Sequence, residues 1–351
     1  MIPLLKRARH LLFVLLIALF LSGFIVFLSG GSPRLFFLLL YTGSMGDKEV
    51  LLSTLIKATP LILTGLSVAI ALQGGLFNIG AEGQLYLGGL ASAIVGGLAP
   101  LPPPIHLPLV LLSSFAAGAL LGFLAGWLRA RRGAHEVITT IMLNYIVIYL
   151  TGYLVRGPLS AGEAIPKTRE IASSASLPII AEAGSSQLSF GFIIAIVIVF
   201  LAYLYLFKTP FGYEVRAMGR NRRAAQRAGI DVGRRMISLM ALAGGLSGLA
   251  GGIEVAGFHH TFYSQFSPGY GYDGIAVALL GGNHPLFVPF SALFFGALRT
   301  ADRTLQLEGG IPRDIVLIVQ ALVIIVVCAR NWRFFAKLIR RRKGNEIASS
   351  N

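Results

Sequence analysis

Apolar residues in this chain come in long blocks, not in the period-two alternation of half-buried strands. A helix needs about 20 mainly apolar residues to cross a bilayer core of about 30 Å. The clearest blocks cover 11–29, 106–128, 137–155, 190–207, 236–257 and 315–329. Two further stretches are apolar but interrupted. The first, 58–98, is broken by Gly74-Gly75 and by the polar run from Asn78 to Gln84. The second, 272–298, is broken by Gly281-Gly-Asn-His-Pro285. Each interrupted stretch reads as one span or two by length alone.

Composition makes these blocks membrane spans. Of 351 residues, 55% are hydrophobic and only 13% charged. A soluble domain carries about twice that share of charge, and a disordered chain far less apolar residue. The single cysteine, Cys328, excludes a disulfide framework within the chain and any metal site built from several cysteines. The net charge of +15 calls for an acidic partner, either nucleic acid or a membrane surface.

The positions of the basic residues decide between them. Four clusters, at 6–9, 129–132, 208–235 and 330–343, hold 21 of the 30 Lys and Arg residues. Basic residues accumulate in cytoplasmic loops, so the number of crossings between successive clusters is even. The predicted spans are then 11–29, 58–73, 83–99, 106–128, 137–155, 190–207, 236–257, 272–282, 286–298 and 313–329. The expected architecture is all-α and polytopic, with about ten transmembrane helices and both termini cytoplasmic. An eight- or nine-span arrangement with a re-entrant hairpin is the alternative. The first block exceeds the 7–15 apolar residues of a secretory signal and reads as an uncleaved anchor. Residues 1–343 are expected to form one permease domain, with 344–351 a polar tail. The charge is explained by the bilayer, and nucleic acid is not needed.

The two interruptions resemble each other. Gly65-Leu-Ser-Val-Ala-Ile-Ala-Leu72 runs into Gly74-Gly75 and Asn78, while Gly274-Ile-Ala-Val-Ala-Leu-Leu280 runs into Gly281-Gly282-Asn283. Matched broken helices in two related halves are a mark of transporters, because irregular backbone survives at membrane depth only beside protein or a watery cavity. A translocation path lined at both breaks is expected. Elsewhere, Gly118, Gly122 and Gly126 form a four-residue step, as do Gly244, Gly248 and Gly252, which predicts close helix packing within the chain or with a partner.

Candidate chemistry is sparse. No G-x-x-x-x-G-K-[ST] loop exists, so this chain does not bind ATP by that route. Gly269-Tyr-Gly-Tyr-Asp-Gly274 fits a dinucleotide fingerprint only on paper, since no strand precedes it. His259-His260 lacks the spacing of a metal site and reads as an extracytoplasmic loop, and no metal ligands are assigned. No Ser/His/Asp constellation suggests an enzyme. Polar residues inside spans are costly and so draw attention. Asn78, Glu82, Gln84, Asn144, Glu254, Asp273 and Asn283 are therefore candidates for a substrate pathway. Competing structural roles are interfacial placement for Glu254, helix capping for Asp273, and interhelical hydrogen bonding for Asn144 and Gln84. In the basic loop 208–235, Asn221 is placed to cap a short helix from Arg222 to Ala228 that Gly229 ends. That helix presents Ala224, Ala225 and Ala228 beside Arg222 and Arg223, as a small-residue knob for a partner's groove or a basic surface on anionic lipid.

These residues carry a family resemblance. Gly75-Leu-Phe-Asn-Ile-Gly-Ala-Glu-Gly-Gln84 resembles the signature of ABC importer permeases in the family of branched-chain amino-acid and ribose permeases. Its Asn-Ile-Gly-Ala-Glu-Gly-Gln portion is similar to the nucleoside and simple-sugar branch. Gly133-Ala-His-Glu-Val-Ile-Thr-Thr-Ile-Met-Leu-Asn144 fits that branch too. So do Arg216-Ala-Met-Gly-Arg-Asn with Ala224-Ala-Gln-Arg-Ala-Gly-Ile230, and Gly271-Tyr-Asp-Gly-Ile-Ala-Val-Ala-Leu-Leu-Gly281. The resemblance implies a transport subunit, not an enzyme, in the plasma or inner membrane. It implies a second permease, related or identical, a cytoplasmic ATPase that holds the ATP, and an extracytoplasmic solute-binding lipoprotein. No cofactor is expected in this chain. By the same resemblance, 221–230 is the coupling helix, although Arg222, Arg223 and Arg227 stand where the family often has acidic residues. Acidic groups on the ATPase would answer them. The competing function is an ion-gradient-driven secondary transporter of small polar solutes.

Overall fold

The computed structural model describes residues 4–98 and 101–311, together with 318, 321, 322 and 325. The chain is mostly helical. In order come α1 (Leu4–Leu28), α2 (Pro33–Met45), α3 (Lys48–Gln73), α4 (Ala81–Gly96), α5 (Pro103–Arg132) and α6 (Glu136–Arg156). A hairpin of β1 (Ile179–Ala183) and β2 (Ser186–Ser189) follows. Then come α7 (Gly191–Lys208), α8 (Pro210–Arg220), α9 (Arg222–Arg227), α10 (Val232–Glu254), a π-helical turn (Val255–His259), α11 (Tyr270–Leu280) and α12 (Val288–Leu307).

Two compact units result, Leu40–Ala301 and Met1–Leu39 with Asp302–Asn351. In the smaller unit, Gly30 takes a positive φ of 81° where the chain turns out of α1, and the missing side chain of Gly23 leaves room for the Phe37 ring. Of the predicted last span, 313–329, only 318, 321, 322 and 325 are among the described residues, and the polar tail lies outside them.

In the larger unit, burial sorts the helices. The most apolar windows of α3 and α10 are 78% buried, whereas those of α5, α6 and α7 are 28% buried. Helices apolar all round belong inside, so α3 and α10 form the centre and the other three keep an apolar outer face for lipid. The two glycine steps account for the tightest contact. Methyl groups on Gly118 or Gly122 would overlap the carbonyls of Gly244 or Met240, and one on Gly248 would overlap that of Ser114. The predicted close packing is thus an internal seam between α5 and α10.

Five helices among the described residues are long and apolar enough to cross a membrane. α4, with 16 residues, falls short of a full crossing. The 286–298 prediction becomes part of α12, bent from α11 by 110° across the second break, as a broken span or a re-entrant loop would be. One departure from an all-α chain is the hairpin. Its strands meet across Gly184-Ser185, with Gly184 at positive φ in the first turn position, as tight hairpins require. Glu49, at the start of α3, accepts hydrogen bonds from the Ser185 N–H (2.9 Å) and hydroxyl (2.7 Å), tying the hairpin to the core.

Candidate functional site

Both breaks are built the same way. After α3, the Leu76 N–H reaches back to the Ala71 carbonyl and Gly75 takes φ +71°. After α11, the Asn283 N–H reaches back to the Ala278 carbonyl and Gly282 takes φ +62°. This is the Schellman closure, in which a residue just past the helix adopts a left-handed conformation that glycine tolerates. The internal similarity seen in the sequence is therefore a repeated local structure.

Tertiary contacts then bring the two breaks together. Gln73 Nε2 donates to the Asn283 carbonyl at 2.6 Å, across 210 positions of sequence. The helices feeding the breaks also touch: Gly65 on α3 faces Val277 on α11, and Gly274 faces Thr64. Gln73 did not stand out in the sequence. Its only signal was a polar residue closing an apolar helix.

From the first break the chain returns alongside α3 as irregular backbone, 76–80, before α4 begins. Buried amides satisfy it. Asn78 and Gln84 exchange hydrogen bonds at 2.8 and 3.1 Å, and Asn78 also donates to the Ser67 hydroxyl at 2.9 Å. Asn144 on α6 accepts from the Gly83 N–H and donates to the Ile79 carbonyl, both at 2.8 Å. The Ser247 hydroxyl donates to the Ala81 carbonyl at 2.5 Å. Unmade hydrogen bonds in lipid cost several kcal/mol each, so these side chains are what allows the interruption to exist. The amide groups of Asn78, Gln84 and Asn144 are committed to the chain itself.

The capping role suggested by sequence for Asp273 falls to the other acidic candidate near α11, Glu82. Asp273 does not cap its helix; it pairs with Arg299 at 2.7 Å, and Arg299 also donates to the Pro268 carbonyl. The cap comes from α4 instead. Glu82, buried, accepts the Gly271 N–H at 2.6 Å in the first turn of α11, where the helix dipole favours an anion. A side chain on Gly271 would overlap the Glu82 backbone, so the close approach requires glycine.

The basic loop forms α8 and α9 and enters α10. Side-chain caps start each of the three: Thr209 accepts from the Gly212 N–H, Asn221 from Ala224 at 3.1 Å and Asp231 from Arg234. Gly229, at φ +84°, lies just beyond α9. An ion pair between Glu214 and Arg235 clips α8 to α10. Between α8 and α9 lies a groove of about 650 Å³, lined by Ala217, Ala224, Ala225 and Ala228 with Tyr213 and Arg220. Ala224, Ala228 and Arg223 are exposed, Ala225 is buried. Arg222 turns inward, donating to the Gly75 carbonyl at 2.8 Å. Gly219 on α8 packs against the Gln73 carbonyl so closely that a methyl group would overlap it. The basic segment thus touches the first break directly.

α10 leads away from this basic end. Its 23 residues span about 35 Å at 1.5 Å per residue. At the far end, buried Glu254 meets His259 at 3.4 Å, beside a cavity of about 370 Å³. Of the candidate pathway residues, Glu254 is a lining residue of this cavity.

Sequence comparison agrees with this construction. A family model for the permease component of branched-chain amino acid transport systems matches residues 50–328. The chain belongs to that family. The permease is 40% identical over 332 residues to the guanosine ABC transporter permease protein NupP of Bacillus subtilis (strain 168), covering 92% of this chain and 94% of that one. It is 36% identical over 321 residues to the nucleoside ABC transporter permease protein NupB of Lactococcus lactis subsp. cremoris (strain MG1363), with 89% and 88% covered. Identity is also 36%, over 316 residues, to the glucose ABC transporter permease protein TsgB13 of Haloferax volcanii, with 87% and 82% covered. The permease is a multi-pass membrane protein, and the apolar outer faces of α5, α6 and α7 are what that setting requires.

Proposed function

We propose that the permease is the membrane subunit of an ATP-driven importer for nucleosides. The observation that carries this is the 40% identity to a guanosine permease along nearly the full length of both chains. The cytoplasmic ATPase docks on α8 and α9, with Ala224, Ala228, Gly229 and Arg223 at the contact and Asn221 and Ala225 holding the knob in shape. Arg222 carries the ATPase stroke inward to Gly75. A second permease, related or identical, completes the channel, and an extracytoplasmic lipoprotein delivers the solute. ATP resides on the ATPase. An even number of crossings between successive basic clusters, with both termini cytoplasmic, fits ten apolar segments, the short α4 and the bent α11–α12 pair among them. Along the pathway, Glu254 meets solute, whereas Asn78, Gln84, Asn144 and Asn283 hold the two breaks, Glu82 caps α11 and Asp273 pairs with Arg299.

The test is uptake of radiolabelled guanosine into vesicles holding the permease with its permease, ATPase and lipoprotein partners. Uptake that requires ATP and the lipoprotein is expected. Saturable uptake driven by an ion gradient without the ATPase would replace this with a secondary-transport mechanism.

A further inference from the structure

We propose that the cavity at the end of α10 is a binding subsite for the base of a nucleoside, with Glu254, His259 and Tyr263 as its recognition groups. The inference rests on the nucleoside reading above and names where in this chain the solute is held.

Three unusual backbone features converge there. α10 does not stop at Glu254 but widens into the π-helical turn Val255–His259, closed by the His260 N–H on the Val255 carbonyl at 2.8 Å. In an α-helix, positions five apart point about 140° away from each other. The i→i+5 repeat of the π-turn instead lets Glu254 and His259 face one another. His260 and Gln265 take φ of +55° and +61°, two of the three non-glycine residues with positive φ among the described residues. Left-handed backbone at such residues costs energy and gathers at ligand sites.

The lining suits a planar, polar solute. Phe258, His259, Tyr263, Phe266 and Tyr270 line it, with His259 edge-on to Phe258, Tyr263 and Phe266, and the Tyr263 hydroxyl lies 3.5 Å from His259 Nε2. Aromatic rings stack on a flat heterocycle with little loss of side-chain freedom. The Glu254 carboxylate accepts hydrogen bonds only, so it selects the N–H and amino donors at the edge of a base. A volume of about 370 Å³ lies within the range of small-molecule sites, roughly 300–1,000 Å³.

The experiment uses the assembled transporter in vesicles and 8-azidoguanosine as photoprobe, with labelled peptides located by mass spectrometry. Labelling within 254–270, blocked by guanosine and not by glucose, is expected. Glu254→Gln, which keeps the shape, should raise the KM for guanosine uptake about tenfold or more through loss of a charge-assisted acceptor. Tyr263→Phe, which keeps the ring, should change it less than Tyr263→Ala. ATP-dependent guanosine uptake with the label elsewhere, or with unchanged KM in Glu254→Gln, would overturn the site while leaving the importer intact. Absence of ATP-dependent guanosine uptake by the wild type would overturn the nucleoside reading and this subsite with it.

Discussion

Arg222 donates a hydrogen bond to the carbonyl of Gly75, 147 positions earlier, at 2.8 Å. An arginine on the six-residue helix α9 therefore holds the carbonyl of the glycine that closes α3. Its neighbour Arg223 is exposed. The two basic residues, alike in sequence, sit in different surroundings.

Replacing Arg222 by Ala is expected to lower guanosine uptake several-fold while ATP hydrolysis by the assembled complex continues. The hydrogen bond lost, from a charged donor, is worth about 1.5–3 kcal/mol. Arg223→Glu should instead weaken ATPase association, read as loss of co-purifying ATPase. Parallel loss of uptake and hydrolysis in Arg222→Ala, in a fully assembled complex, would argue against a transmitting role.

The bond from Gln73 to Asn283 joins the two breaks. Gln73→Ala should reduce stability by about 1 kcal/mol, the usual net worth of such a bond. Thermal unfolding of the purified permease in detergent measures this, and an unchanged transition would show that the breaks are held together by packing alone.

At α11 the two carboxylates should separate on mutation. Glu82→Ala removes the cap and should cost about 1–2 kcal/mol, while Glu82→Gln, still an acceptor, should cost less. Asp273→Asn leaves Arg299 half-buried without its anion, a loss of up to about 3–5 kcal/mol if the site stays dry. Equal effects of Glu82→Gln and Glu82→Ala on thermal stability would contradict the capping role.

Along the α5–α10 seam, Gly122→Ala would drive a methyl group into the Met240 carbonyl. Forcing atoms into a packed contact costs about 1–3 kcal/mol. Gly133→Ala serves as the contrast, since nothing lies near its side-chain position, although its φ of +67° carries a small penalty of its own. The unfolding temperature should fall further for Gly122→Ala, and the reverse order would refute the seam.

Much of this architecture could be read from the chain alone because bilayer thickness and backbone hydrogen bonding act locally. Apolar block length located α5, α6, α7 and α10, and Gly-Gly pairs located both breaks. Asn221 was recognisable as a cap because capping needs only neighbours in sequence. The boundaries failed where tertiary contacts intervened. α3 begins ten residues before the predicted span, with Glu49 turned toward the hairpin. The hairpin itself is not legible in the sequence, because its strands are only five and four residues long and lie between predicted spans.

Local chemistry was thus enough to determine that the chain is a membrane protein, that its helices break in two matched places, and that Asn221 caps a short helix in its basic loop. Each of these follows from the energy of a few consecutive residues in water or in lipid. Which polar group serves which partner was settled only by the folded chain. Asp273 had the position of a cap, yet Glu82 supplies it; Arg222 had the look of a surface charge, yet it holds Gly75; His259 read as a loop residue, yet a π-turn sets it against Glu254. Hydrogen bonds and ion pairs depend on distance in space, and segments up to 242 residues apart meet here, so no pattern along the sequence could assign them.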